Sequence, residues 1–311
     1  MPIKKINTDK PKVLVLLGPT ASGKTALGVS LALKYKGEIV SADSRQVYKG
    51  MDIGSGKDLK AYKVGKKIVP YHLIDVVSPN TEFNLAKYQK LALKAIADII
   101  KRGQLPIIVG GTGLYLQALV DNYRLSSAKP DLEKRRELEI LSKEELFKRL
   151  EDLKPDFAHK LNNSDKNNPR RLVRYLEILE QGSSLEIRKE SPYDFLILGL
   201  TYPDEILRAR IIKRINDRLD QEDMLGEVKR LHAEGVSWRR LLSFGLEYKF
   251  LSQYLLGRLD YDSMLKKLSD ASYRFAKRQK TWFRRWEKQG RQIYWAQDFS
   301  AAEELINNWL R

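Results

Sequence analysis

The sequence predicts an α/β chain built on a doubly wound parallel sheet, and three observations predict it. Short continuous apolar runs recur along the 311 residues, amphipathic stretches of helical length separate them, and a glycine-rich turn after the first run opens a helix-forming segment. A strand buried on both faces reads as such a run rather than as an alternation of apolar and polar residues.

Taken in order, the first strand is Val13 to Leu17, stopped by Gly18-Pro19, and the first helix follows from Ala26 to Tyr35. Glu38-Ile-Val-Ser41 is the second strand, Tyr71-His-Leu-Ile-Asp75 the third and Pro106-Ile-Ile-Val109 the fourth. Phe195 to Leu200 and Gln292-Ile-Tyr-Trp295 supply two more. From Tyr123 to Arg188 the pattern becomes charged and helical, as in Leu146–Leu153 and Leu172–Leu179, with breaks at Lys154-Pro155 and at Asn162 to Pro169. The expected organisation is therefore a core in two parts, residues 1–122 and 189–311, carrying a helical insertion at 123–188. No internal repeat or low-complexity tract points to a solenoid.

Composition narrows the function. Lys plus Arg outnumber Asp plus Glu by 57 to 40, a formal net charge of +17, which favours a polyanionic partner, nucleic acid first and a membrane surface second. The chain has no cysteine, which excludes disulfides, thiolate metal sites and thiol nucleophiles; three scattered histidines, His72, His159 and His232, make a poor metal cage. The first apolar run is too short for a signal-peptide core, and the uncharged stretch Gly103–Val120 is interrupted by Pro106, Gly110, Gly111 and Gly113. The chain is expected to be cytoplasmic, with no membrane partner, and to act as a monomer.

The strongest local signal is Gly18-Pro19-Thr20-Ala21-Ser22-Gly23-Lys24-Thr25, between a strand and a helix. Its glycines let the backbone wrap an anion, and N–H groups at the helix start bind it. Lys24 adds a point charge, and the Thr25 hydroxyl is placed to hold Mg²⁺ bridging phosphates. The fold class becomes a P-loop NTPase-like sheet, but the loop specifies only a di- or triphosphate, not ATP. Asp75 is the candidate second acidic strand end of an NTPase.

The second strand runs into Ser41-Ala-Asp43-Ser44-Arg45-Gln46-Val-Tyr48, and strand ends in such a sheet share one crevice. Asp43 reads either as a carboxylate facing the diphosphate or as a helix cap. Val109-Gly110-Gly111-Thr112-Gly113 brings glycines for close backbone approach and the Thr112 hydroxyl to the same crevice.

With these residues in view, the sequence resembles the tRNA dimethylallyltransferases, also called isopentenyl-pyrophosphate:tRNA transferases. The resemblance rests on Gly18–Thr25, Ser41–Tyr48 with Gly50-Met-Asp-Ile-Gly54, and His72-Leu-Ile-Asp75. It continues through Pro106–Tyr115, Asn168-Pro-Arg-Arg-Leu-Val-Arg174 and Ala276-Lys-Arg-Gln-Lys-Thr-Trp-Phe-Arg-Arg285, in the family's order and over nearly the whole chain. Segment Ser127–Ser142 is shorter than the family's usual insert, and Phe244–Lys249 only loosely echoes a family Gly-Tyr-Lys-Glu stretch. Eukaryotic members add a zinc finger; none is seen here, which fits a bacterial-type enzyme.

The resemblance implies transfer of a dimethylallyl group from its diphosphate to N6 of adenosine 37, 3′ of the tRNA anticodon, with the phosphate loop holding the donor's diphosphate. On that basis Asp43 is the expected general base, Thr112 the group that positions the amine, and Arg208, which falls on a family arginine, the cation for the departing diphosphate. Arg210, Arg214 and Arg218 lie at i,i+4 spacing, and Asp217 and Asp220 allow them to be a solvated ion-pair face instead. The adenine has to be flipped from its stack, which calls for basic residues beside aromatics. Lys277, Arg278, Gln279 and Arg285 lie among Phe275, Trp282 and Trp286, which also suit a core. Arg170, Arg171 and Arg174 are a second candidate tRNA patch and Arg135 a third, while Asp43, Ser44, Arg45 and Gln46 are placed to read the base. A small-molecule or nucleotide kinase and a nucleic-acid-binding NTPase share the loop and remain the competing readings.

Overall fold

The computed structural model describes residues 10–125, 131–182, 190–296 and 298–311. It divides into two compact units, one ending at Asp121 and resuming at Ser191–Arg311, the other Asn122–Glu190.

The first unit opens with β1 (Lys12–Leu17), α1 (Lys24–Tyr35) and β2 (Gly37–Ala42). A single 3₁₀ turn, Leu59–Tyr62, leads to the short strands β3 (Lys63–Val64), β4 (Lys67–Ile68) and β5 (Tyr71–His72), then α2 (Leu85–Lys101), β6 (Leu105–Gly110) and α3 (Gly113–Val120). The second unit holds α4 (Leu132–Glu139), α5 (Lys143–Leu153), α6 (Pro155–Lys160), α7 (Asn163–Lys166) and α8 (Pro169–Glu180). The first unit then resumes with β7 (Asp194–Gly199), α9 (Asp204–Asp220), α10 (Met224–Ala233), α11 (Trp238–Phe244), α12 (Leu246–Leu255), α13 (Tyr261–Lys288), β8 (Tyr294–Trp295) and α14 (Phe299–Leu310).

Six strands form one parallel sheet in the order β5-β2-β6-β1-β7-β8. Val13 to Leu17 are all fully buried, which explains their unbroken apolarity. Val13, Val15 and Leu17 pack with Tyr88 and Ile96 of α2, Leu116 of α3 and Phe283 of α13 on one face. Leu14 and Leu16 point to the other, against Val29 and Leu31 of α1 and Ile306 and Trp309 of α14. The expected doubly wound sheet is thus present, and β1 sits centrally between β6 and β7, so the loop at its carboxyl end opens into the crevice.

The sequence reading needs two corrections here. The third strand stops at His72, because Leu73 and Asp75 adopt left-handed backbone at φ 62° and 56°, which no strand can hold. The β3–β4 hairpin went unseen because its residues are exposed and its two strands have only two residues each, too short for any periodicity.

The helical unit has its own core of Leu138, Leu146, Leu150, Leu172, Val173 and Leu176. A capping box between Ser142 and Glu145 starts α5, and Asn168 with Pro169 at the first position starts α8. The expected boundary at Arg188, and the first residues of the Ser127–Ser142 segment, lie outside the described residues.

Candidate active site

The phosphate loop takes its shape from two left-handed residues, Ala21 at φ 61° and Gly23 at φ 84°. The alanine carries backbone strain that glycine escapes, the kind of cost that persists where surrounding structure fixes a functional loop. Helix α1 then begins at Lys24 with no side-chain cap and no acidic residue in its first turn. Its leading N–H groups and the positive end of its dipole are left for an anion.

Three cations converge on this loop, and a fourth lines the cavity beside it. Lys24 Nζ donates to Pro19 O at 2.6 Å, Arg210 Nε donates to Ala21 O at 2.8 Å, and Arg214 donates to the Thr20 hydroxyl. Arg218, 7% exposed, lines the same cavity. Lys24 is lowered to about 7, mainly by burial and in part by the Arg214 charge, with Asp43 offsetting some of this. Burial likewise lowers Arg214 to about 10, with Arg218 adding repulsion. Burial raises Glu247, which lines the cavity too, above the ordinary carboxylate range, against the pull of Arg218. Cations held so close that they depress each other's proton affinity are arranged for a multiply charged anion.

Asp43 follows β2 and lines the cavity. Its Oδ1 accepts from the N–H of Arg45 at 2.8 Å and of Gln46 at 3.4 Å, while Oδ2 has no hydrogen bond among the described residues. Capping therefore uses one oxygen of the carboxylate and leaves the other open to the cavity's occupant. Thr112 N–H donates to Ala42 O at 3.2 Å, and its Oγ1 accepts from Ser44 N–H at 3.1 Å, which ties the ends of β6 and β2 together and leaves the hydroxyl proton as a donor. The cavity, about 1540 Å³, holds Lys24, Thr25, Asp43, Ser44, Arg45, Gln46 and Thr112 on its wall, with Arg274, Phe275 and Arg278 of α13.

The remaining expected residues are not all in the cavity. Arg208 does not line the cavity; it is exposed, 3.7 Å from Asp270, with its guanidinium over the Tyr273 ring. Two residues turn a helix by about 200°, so Arg208 and Arg210 leave α9 on opposite sides. Gln279, expected at tRNA, is 7% exposed and holds the phosphate loop: its Oε1 accepts from Thr20 N–H and its Nε2 donates to Gly111 O, both at 2.8 Å. In the helical unit Arg135 and Arg174 both grip the buried Glu177, and Arg171 pairs with Asp165, whereas Arg170 is exposed. Lys277, Arg278 and Arg285 are exposed on α13, each over an aromatic ring: Tyr273, Phe275 and Trp282. Phe283 and Trp286 are core, and Trp282 packs partly buried beside them. Asp75 is bound to the fully buried Lys57, as is Asp52, and it does not reach the cavity.

Sequence reasoning missed one buried support. Glu227, 1% exposed, accepts the N–H groups of Asp52, Ile53 and Gly54 at 2.7–3.0 Å and the Tyr248 hydroxyl at 2.8 Å. It fixes the cavity-lining segment from Asp52 to Lys57. No spacing signal links a lone glutamate on α10 to a loop 173 residues earlier.

The model of the family described as IPP transferase matches residues 46–286. The chain is 46% identical over 298 residues to the tRNA dimethylallyltransferase 1 of Geotalea uraniireducens (strain Rf4), covering 94% of this chain and 96% of that one. It is 41% identical over 297 residues to the tRNA dimethylallyltransferase 2 of Bacteroides fragilis, covering 95% of each. Among solved structures, the full-length tRNA isopentenylpyrophosphate transferase of Bacillus halodurans superposes with a TM-score of 0.67 at 34% identity, covering 97% of this chain and 96% of that one. A eukaryotic dimethylallyltransferase acting on tRNA superposes at 0.75 and 27% identity, covering 93% and 75%.

Proposed function

The chain belongs to the IPP transferase family and is a tRNA-prenylating enzyme, and we propose that it carries a dimethylallyl group from dimethylallyl diphosphate to N6 of adenosine 37, beside the anticodon. The observation that carries this reading is the convergence, in one cavity, of the phosphate-loop cations with the unbonded oxygen of Asp43 and the hydroxyl of Thr112.

The donor's diphosphate lies in the loop, against the α1 N–H groups, Lys24, Arg210 and Arg214. As the allylic C–O bond breaks, negative charge grows on the leaving diphosphate, and these groups stabilise it in place with little rearrangement. Arg214 takes the part expected of Arg208, since it reaches Thr20 and Arg208 does not line the cavity. The adenine amine is a weak nucleophile whose lone pair is delocalised into the ring. Thr112 orients it, and Asp43 Oδ2 accepts the proton it loses as the N–C bond forms.

A divalent cation fits this site: Thr25 lines the cavity, its hydroxyl has no hydrogen bond among the described residues, and such an ion in a phosphate loop takes most of its ligands from phosphate and water. Thr25 would hold it, Mg²⁺ by preference, and when bound it neutralises diphosphate charge.

The anticodon loop meets the α13 face of Arg274, Lys277, Arg278 and Arg285, exposed basic side chains interleaved with aromatic rings. The cytoplasm, where tRNA is found, and a monomeric state complete the proposal; among the described residues no helix is long and apolar enough to cross a membrane. The family match over nearly the whole chain favours prenyl transfer over the kinase and NTPase alternatives, and Asp75, the candidate second acidic strand end of an NTPase, is held by Lys57 and does not line the cavity.

Incubation with Mg²⁺, labelled dimethylallyl diphosphate and unmodified tRNA, with an ATP-only control and nucleoside mass analysis, tests this. One dimethylallyl group gained on adenosine is expected; ATP consumption without any gain refutes the proposal.

A further inference from the structure

The RNA-facing helix and the phosphate loop are joined through one side chain. Gln279 is buried in α13, yet both ends of its carboxamide leave the helix for the sheet. The orientation of the amide is unambiguous, because Thr20 N–H only donates and Gly111 carbonyl only accepts. Thr20 belongs to the loop that cradles the anion, and Gly111 precedes Thr112. Close packing leaves no slack: a Cβ on Gly111 would collide with Gln279 Nε2, and a Cβ on Gly113 would collide with the Trp282 ring. Adjacent on the same turn, Arg278 lines the cavity and Lys277 stands exposed, while Lys280 is anchored to Asp204 of α9.

We propose that Gln279 is a positioning residue through which RNA bound on α13 sets the phosphate loop and Thr112, so that diphosphate and RNA bind with positive coupling. Its carboxamide oxygen and nitrogen are both engaged within the protein, at Thr20 and Gly111. Any shift of α13 toward bound RNA moves both hydrogen bonds at once, one at the donor site and one beside the residue that orients the amine. Two ligands that draw on the same rigid joint raise each other's affinity by the same factor, and coupling between sites is commonly about 5- to 150-fold.

This inference rests on the reading of α13 as the RNA face and of the loop as the diphosphate site. The test uses the whole chain, inorganic pyrophosphate with Mg²⁺ and a tRNA anticodon stem–loop. Pyrophosphate affinity is titrated with and without saturating RNA in the natural protein, in Gln279→Met, which keeps size and loses both bonds, and in Gln279→Glu, which keeps the acceptor for Thr20. Thermal unfolding checks each fold, and Gln279→Glu stands in should Gln279→Met not fold. The natural protein is expected to bind pyrophosphate about 10-fold more tightly when RNA is present. In the variants that ratio falls toward one while RNA affinity alone stays within about twofold, a split that loss of stability by itself does not produce. An unchanged ratio in the variants, or a ratio of one in the natural protein, overturns the coupling. Failure of the natural protein to bind pyrophosphate or RNA at all is a different result: it refutes the site assignments, and the coupling with them.

Discussion

Arg214 of α9 donates its guanidinium to the hydroxyl of Thr20, across 194 residues of sequence, and so places a second cation beside Lys24 at the phosphate loop. Arg208, about one and two-thirds turns earlier on the same helix, lies against Asp270 and Tyr273 instead. Arg214→Ala is therefore expected to lower kcat by about 10² to 10³, the usual loss for a group that stabilises developing negative charge, and Arg208→Ala to leave it within about twofold. Steady-state transfer rates on both variants decide between the two arginines, and the reverse ranking would restore Arg208.

Asp43 binds the Arg45 and Gln46 N–H groups through one carboxylate oxygen and leaves the other without a hydrogen bond among the described residues. Asp43→Asn keeps an acceptor for the Arg45 and Gln46 N–H groups, so the fold and tRNA binding are expected to survive. Without a carboxylate to take the proton, transfer should drop by about 10² to 10⁴. Filter binding and single-turnover transfer, measured on the same preparation, test this; unchanged transfer removes Asp43 as the base.

Lys24 gives the donor site a pH dependence. In the empty protein its pKa is about 7, depressed by burial and by Arg214, and a bound diphosphate raises it. Above pH 7 the empty site loses the proton and the occupied site regains it, so binding takes up a proton and weakens by about tenfold for each pH unit. The sign is opposite for folding: the unfolded chain binds the Lys24 proton up to its ordinary pKa, so folding releases it and this residue's contribution to stability rises with pH from about 7 toward 10.5. Calorimetric titration of dimethylallyl diphosphate at pH 8 in buffers of different ionisation enthalpy should show proton uptake, absent in Lys24→Met.

The Glu227 carboxylate satisfies three backbone N–H groups and the Tyr248 hydroxyl in a dry setting. Glu227→Ala leaves all four donors without a partner and is expected to cost about 2–4 kcal/mol of stability, read as a lower urea midpoint. Because the segment it holds lines the cavity, the variant should also lose transfer activity at temperatures where it remains folded.

Lys277 and Arg278 stand exposed on α13 and carry no buried structural duty. Replacing both with alanine should weaken tRNA binding while thermal stability is unchanged. Its dependence on salt should flatten by about one unit of log–log slope for each phosphate that is no longer neutralised. An identical slope would move the RNA face elsewhere.

Much of this molecule was legible in one dimension because its determinants are local. The strand runs at Val13, Ile39, Ile107 and Leu196 are apolar because both faces of a central strand are covered, and Gly18 to Thr25 is a phosphate loop because its backbone conformation and helix start depend on neighbouring residues. Asp43 and Thr112 could be placed near that loop from the rule that strand ends share a crevice. The assignments that moved, Arg208, Gln279, Arg135, Arg171, Arg174 and Asp75, are all polar residues whose roles depend on a partner far along the chain or on the far side of a helix.

The sequence by itself determined the sheet, its phosphate loop, the excess of positive charge and the family, since each follows from local pattern or from composition. Only the tertiary structure decided which charges line the cavity and which are paired elsewhere. A guanidinium or carboxamide has no preferred partner in its own neighbourhood, so packing chose Arg214 over Arg208, turned Gln279 inward to Thr20 and Gly111, and paired Asp75 with a buried lysine. Helix phase and desolvation govern those choices, and both exist only once the chain has folded.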